Sequence, residues 1–246
     1  MKYVISDIHG DYSRYIEMLE KINFNQSDVL FVLGDVIDRG AHGIKILQHM
    51  MQHSNIVPIL GNHELMAYKE LKFLSREITE ESLEEFDEER LQQMLVWMCN
   101  GGEPTLKEFR ALSVEERKEI LDYIREFWGF FEVEAGGKTY LLVHAGFENF
   151  EQDKLMEEYC LEELVWARMD PEKRYFIDKV LVVGHTPTRA FYAKRQGKLL
   201  EEIPKIEQRD EVFVSEDGML IGIDCGCGFD GRLASFCLDT GEVVYV

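Results

Sequence analysis

Two stretches of this sequence end an apolar run in a polar cluster with unusual chemical content. Val29–Leu33 runs into Gly34-Asp-Val-Ile-Asp-Arg-Gly40, and Ile56–Leu60 runs into Gly61-Asn-His-Glu64. Together they hold metal-ligand chemistry at Asp35 and Asn62, a phosphate-binding cation at Arg39, and an acid with its orienter at His63 and Asp38. The same grammar recurs three more times. Met1–Ile5 leads into Ser6-Asp-Ile-His-Gly10, Tyr140–Val143 into His144-Ala-Gly146, and Val180–Val183 into Gly184-His-Thr-Pro187. One histidine in such a place is read most simply as a packed, satisfied side chain. A whole series of such runs ending in Asp, His or Asn is not accounted for by packing.

An apolar run that stops at glycine is expected to be a buried strand that delivers its next residues to the edge of a sheet. Asp35, Asp38, Arg39, Asn62 and His63 would then share one rim. Period-two geometry points Asp7 and His9 the same way just past the first strand, where a carboxylate and an imidazole make a bidentate edge for a metal. The elements between the strands read as helices. Tyr15, Met18, Leu19 and Ile22 mark one face of a helix that opens at Asp11. Ile44, Leu47 and Met51 give the stripe of another over Gly43–Gln52, around which His42, His49 and His53 are expected to be surface or packing residues.

From about residue 65 to 128 the character changes to charge-dense helical segments, read as a helical insertion within a single domain spanning 1–246. Ser82-Leu-Glu-Glu85 and Ser113-Val-Glu-Glu116 each have the form of a capping box. Leu91, Met94, Leu95 and Met98 recur at helical spacing and are expected to pack as core against the sheet, and Asn100-Gly-Gly102 is a helix stop. Phe130–Glu134, Gly136-Gly137 and Lys138–Val143 read as a hairpin. Four further strand segments after Val212 are closely spaced, which predicts antiparallel pairing that completes a second sheet.

A chain of 246 residues, 46% hydrophobic and 30% charged, suffices for a large core. No stretch approaches the roughly 20 apolar residues that span a bilayer. The opening Met1-Lys-Tyr-Val lacks the apolar segment of a signal peptide, so a cytoplasmic location and no membrane partner are expected. Forty-seven acidic residues against 27 basic ones give a net charge of −20, without the Lys/Arg clusters that nucleic-acid binding needs. A phosphorylated substrate is still compatible with this charge, because metal ions and two arginines make a site locally positive. The cysteines, Cys99, Cys160, Cys225, Cys227 and Cys237, are odd in number and read as reduced; the spacing of Cys225-Gly-Cys227 is too short for a zinc knuckle.

Asp7-x-His9-Gly10, Gly34-Asp35-x-x-Asp38-Arg39-Gly40, Gly61-Asn62-His63-Glu64, His144-Ala-Gly146 and Gly184-His185-Thr186 resemble the five signature blocks of calcineurin-like metallophosphoesterases, in the family's order. More narrowly they resemble the phosphoprotein phosphatase group. That group contains the serine/threonine protein phosphatases, their phage and bacterial relatives, and the symmetrical diadenosine tetraphosphatases. Trp97–Leu106 is similar to a stretch of its bacterial members, and Leu164-Val-Trp-Ala-Arg168 to the element that carries the family's second phosphate-binding arginine.

The resemblance implies an α/β fold, an α/β/β/α sandwich of two mixed sheets flanked by helices. It implies two divalent ions, one held by Asp7, His9 and Asp35 and the other by Asp35, Asn62, His144 and His185, with Asp35 bridging. Mixed nitrogen and oxygen ligands suit Mn²⁺ foremost, and Fe, Zn²⁺, Co²⁺ or Ni²⁺, better than Mg²⁺ or Ca²⁺. Metals about 3.5–4 Å apart supply hydroxide for in-line attack on phosphorus. Arg39, Arg168 and Asn62 would bind the phosphate, and His63, oriented by Asp38, would protonate the leaving group. Pro187 stands where nucleases and cyclic-nucleotide esterases carry a second histidine, and Thr186 is kept where diadenosine tetraphosphatases usually replace it. The expectation is therefore a serine/threonine-type protein phosphatase acting on a phosphorylated protein or a small phosphoester. The alternatives are a hydrolase of nucleotides or dinucleoside polyphosphates and a noncatalytic phospho-binding module.

Overall fold

The computed structural model describes residues 1–76 and 87–246. Every apolar run identified above is a strand: β1 (Lys2–Ile5), β2 (Val29–Leu33), β3 (Ile56–Ile59), β5 (Lys138–Val143) and β6 (Val180–Val183). β4 (Phe130–Ala135) pairs with β5 as the expected hairpin. The remaining strands are β7 (Phe213–Val214), β8 (Leu220–Gly222), β9 (Ala234–Cys237) and β10 (Val243–Tyr245). They form two mixed five-stranded sheets, ordered β10-β9-β1-β2-β3 and β4-β5-β6-β8-β7.

Alternation along the strands separates three apolar layers. Val4, Phe31 and Leu33 from the first sheet meet Leu142, Val182 and Ile221 from the second in the middle layer. Their neighbours Ile5, Leu30 and Val32 face the other way, toward helices α1 (Tyr12–Lys21), α2 (Gly43–Met51) and α3 (Asn62–Leu74). Leu141, Val143, Leu181 and Val183 do the same on the far side, against α7 (Leu161–Val165) and α8 (Thr188–Arg195). The result is the α/β/β/α sandwich, with eight α-helices among the described residues. The others are α4 (Glu88–Cys99), α5 (Glu103–Ala111) and α6 (Val114–Arg125).

Three expectations need correction. The strands after Val212 do not complete one sheet. β7 and β8 join the second, while β9 and β10 return to the first beside β1, and β8 lies parallel to β6. Pairing between β7 and β8, and between β9 and β10, is antiparallel as predicted, but close spacing says nothing about which sheet receives each pair. In α2, Met50 rather than Met51 fills the core; Met51 is 37% exposed. In α4, Leu91, Leu95 and Val96 face outward, Leu95 with 53% exposure, while Met94 and Met98 are half-buried. Trp97 is the side chain this helix buries, because α4 packs beside α3 rather than on the sheet. The capping box at Ser113 is present, with reciprocal bonds between Ser113 and Glu116. That proposed at Ser82–Glu85 lies outside the described residues.

Candidate active site

The strand-end loops are held in conformations that most residues avoid. Asp7, His9, Asp35, Asp38, Arg39 and His185 all have positive φ, between 48° and 69°. Among the described residues, the other non-glycine cases are Asn23 and Asn149, a residue type that tolerates this region. Such backbone persists only where the surroundings over-determine it, and here it collects at one rim. The motif glycines allow the loops to touch. A Cβ on Gly34 would lie 2.5 Å from the Gly61 backbone, and one on Gly61 would collide with Asp35 Oδ1.

Asp35 lies at the centre, buried, with its two oxygens turned to different neighbours. Oδ1 is 3.4 Å from His144 Nε2, while Oδ2 is 3.7 Å from His9 Nε2 and 3.8 Å from His63 Nε2. The ligand atoms of Asp35, His144 and His185 lie within 4.8 Å of one another, as do those of His9, Asp35 and His63. Asn62 Oδ1 is 3.0 Å from both His144 Nε2 and His185 Nδ1. Asp7 Oδ1 is 4.0 Å from His9 Nε2, and its Oδ2 accepts hydrogen bonds from Ser6 Oγ and the His185 backbone N–H.

These donors fit divalent cations. His9 Nδ1 donates to Ile37 O at 3.1 Å and His144 Nδ1 to Leu33 O at 2.6 Å, so each Nε2 presents a lone pair to the cluster. Burial pushes His9 and His185 down to about 3 and lowers His144 as well, which keeps these imidazoles neutral and able to ligate. Burial, then the negative charges of Asp224 and Asp35, raise Asp7 well above the carboxylate range. Asp224 is itself pushed up to about 6, chiefly by burial. Burial also opposes ionisation of Asp35, yet the imidazoles of His144, His63, His9 and His185 hold it well below the usual range. Lone pairs facing lone pairs, and buried carboxylates facing each other, are arrangements that a cation satisfies.

His63 and Asp38 meet as expected, with His63 Nδ1 donating to Asp38 Oδ2 at 2.7 Å. Burial works against the imidazolium of His63, but Asp35 and the hydrogen bond to Asp38 outweigh it and raise its pKa. Arg39 donates from Nη1 to His9 Nε2 at 2.9 Å, its Nη2 lies 3.2 Å from His63 Nε2, and the Phe229 ring covers its guanidinium at 4.4 Å. Arg168 is exposed on the His185 side, where its Nη1 donates to Thr186 Oγ1 at 3.2 Å. All ten residues singled out from the sequence therefore surround one cluster.

Four supporting residues escaped sequence reasoning. Trp97 Nε1 donates to Asp38 Oδ2 at 2.9 Å and Thr105 Oγ1 to Asp38 Oδ1 at 2.6 Å, so the helical segment holds the residue that orients His63. Glu64 accepts from the backbone N–H groups of Asp35, Val36, Ile37 and Gly61 and so ties two motif loops together; burial moves it up to about 7. Asp224 sits in the turn after β8, where nothing in Gly222-Ile-Asp-Cys-Gly226 distinguishes it from a loop aspartate. Cys225 and Cys227 are free and buried, and burial raises both thiols, that of Cys227 to about 11.

The family of calcineurin-like phosphoesterases matches residues 3–213, which takes in every cluster residue but Asp224. The chain belongs to that family. It is a metallophosphoesterase, of a family that acts on phosphoesters. Among its relatives, a symmetrical bis(5'-nucleosyl)-tetraphosphatase of Wigglesworthia glossinidia brevipalpis is 33% identical over 48% of this chain, a match that spans only 42% of that protein. Serine/threonine-protein phosphatase 2 of Salmonella typhimurium is 26% identical over 68% of the chain and 67% of its own length. An asymmetrical bis(5'-nucleosyl)-tetraphosphatase of Halalkalibacterium halodurans is 23% identical over 99% of the chain and 92% of its own length. A crystal structure provisionally assigned as a diadenosine tetraphosphatase superposes over 100% of the chain with a TM-score of 0.65 at 16% identity, which shows the common fold.

Proposed function

We propose that this metallophosphoesterase hydrolyses dinucleoside polyphosphates, revising the protein-phosphatase expectation. The observation that carries the reading is end-to-end correspondence. A relative that matches 99% of the chain and 92% of itself is a bis(5'-nucleosyl)-tetraphosphatase, whereas two Salmonella phosphatases match 68% and 76% of the chain.

In this reading Asp7, His9 and Asp35 would hold one divalent ion, and Asp35, Asn62, His144 and His185 a second. Bound divalent ions would supply Lewis acidity toward water and the phosphoryl oxygens. The chain's own groups do the rest. Arg39 and Arg168 bind phosphate oxygens from opposite sides of the cluster and hold the phosphorus in line. His63 donates a proton from Nε2 to the leaving oxygen, while Asp38, fixed by Trp97 and Thr105, keeps Nδ1 protonated and the ring oriented.

A second reading, phosphomonoester hydrolysis on phosphoserine or phosphothreonine, is favoured by Thr186, which accepts from Arg168. Competition between the two substrates tests them. Protein loaded with Mn²⁺ is given diadenosine tetraphosphate and a phosphothreonine peptide, and nucleotides and phosphate are quantified. The expected kcat/KM for the dinucleotide exceeds that for the peptide by about tenfold or more, and the inverse ratio overturns the proposal.

A further inference from the structure

One cavity opens at the His9 side of the Asp35 cluster and a second lies beyond His185, and each carries an exposed aromatic ring. The first, of about 380 Å³, is lined by His9, Arg39, Tyr12 and Phe229. Phe229 is 61% exposed, and its ring centroid lies 4.4 Å from the Arg39 guanidinium carbon. The second, of about 320 Å³, is lined by Leu65, Met66, Val96, Glu70 and Trp166. Leu65 and Met66 follow His63 directly in α3, and the Trp166 ring, 40% exposed, stands 6.1 Å from the His185 ring. Both volumes fall in the range of small-ligand sites, about 300–1,000 Å³.

Chemistry at phosphorus accounts for His9 and Arg39 in the first cavity, but not for Tyr12 and Phe229 there, nor for the second cavity. Leu65, Met66, Val96 and Trp166 supply the apolar surface of the second, and Lys69, Glu70, Glu89, Gln92, Gln93 and Glu162 its polar groups. Glu70 is 1% exposed, and its Oε2 has no hydrogen-bond partner among the described residues; Arg90 Nε lies 3.5 Å away. A buried carboxylate oxygen with spare acceptor capacity, in a cleft whose apolar surface includes a tryptophan ring, suits a flat heterocycle that carries an amine.

We infer that the two cavities are base subsites. A purine with an exocyclic amine stacks on Trp166 and donates to Glu70, the second base stacks on Phe229, and the phosphate chain crosses the Asp35 cluster between them. This inference rests on the dinucleotide reading and assigns it residues. A base stacked on an aromatic side chain is sensitive to truncation of that ring but tolerant of exchange for another ring.

The test uses metal-loaded wild type, Trp166→Ala, Trp166→Phe and Phe229→Ala on diadenosine tetraphosphate and on p-nitrophenyl phosphate. Each alanine variant is expected to raise KM for the dinucleotide roughly tenfold more than KM for the small ester, with Trp166→Phe close to wild type. The wild type is expected to have a severalfold higher KM for diinosine tetraphosphate, which lacks the amine. As a readout independent of turnover, ADP is expected to quench tryptophan fluorescence in the wild type and less in Trp166→Phe. Wild-type turnover of the dinucleotide with KM unchanged in both alanine variants overturns the subsites and leaves the dinucleotide reading standing. Absence of wild-type turnover of the dinucleotide, with phosphopeptide cleaved, overturns both.

Discussion

The strand-end loops and the helical segment from Glu88 to Arg125 converge on Asp38 from opposite directions, and they tolerate change very differently. In the loops nearly every residue is committed: six non-glycine positions sit at positive φ, and Glu64 binds four separate backbone amides across two loops. The helical segment touches the site through Trp97, Thr105 and the Gly101 carbonyl, which accepts from Arg39 N at 2.8 Å. Elsewhere it presents Leu91, Leu95 and Val96 to solvent. Where a loop must place ligands within hydrogen-bond distance, its backbone is specified residue by residue. A helix that acts as a prop needs only the few side chains that reach the site.

Substitution should expose that asymmetry, starting with Asp35→Asn at the centre of the loops. Its two oxygens face different imidazoles, so metal content measured by mass spectrometry should fall from about two equivalents toward zero and turnover should drop by several orders of magnitude. Two retained equivalents would mean that Asp35 does not bridge. Next, His63→Asn should lower kcat on phosphoserine by roughly 10²–10⁴-fold and much less on p-nitrophenyl phosphate, whose leaving group hardly needs a proton. Equal losses would remove His63 from the acid role. Glu64→Gln replaces an acceptor-only carboxylate that receives several buried N–H groups, and should cost about 1–3 kcal/mol in urea unfolding.

The helical segment should give smaller numbers. Trp97→Phe keeps the ring in its buried slot but deletes the N–H on Asp38; a loss of about 1 kcal/mol in His63 orientation corresponds to a roughly fivefold fall in kcat on phosphoserine. No change would show that Thr105 holds Asp38 alone. Last, Leu95→Lys on the outward face should alter stability by no more than about 0.5 kcal/mol, and a larger loss would mean that this face is covered.

The legible part of this protein was its local grammar. An apolar run followed by glycine and an acidic or imidazole residue is a buried strand whose chemistry begins where pairing stops. All five runs obeyed it, because alternation along a strand depends only on neighbouring residues. The same logic places Asp35, Asp38, Arg39, Asn62 and His63 on one rim, where the fold also brings Asp7, His9, His144 and His185. Chain order and spacing also sufficed for the family. Spacing did not decide which helical face is buried. Met50 outcompetes Met51, and Trp97 outcompetes Leu91 and Leu95, because burial depends on where a distant element packs. Nor did it reveal that β9 and β10 close the first sheet, or that Trp97, Thr105 and Glu64 brace the site across 59, 67 and 29 residues of chain. Those partners are selected by long-range contact, which leaves no periodic trace in the sequence; the cavities beside Trp166 and Phe229 belong to the same category, since a cavity exists only between elements that have already packed.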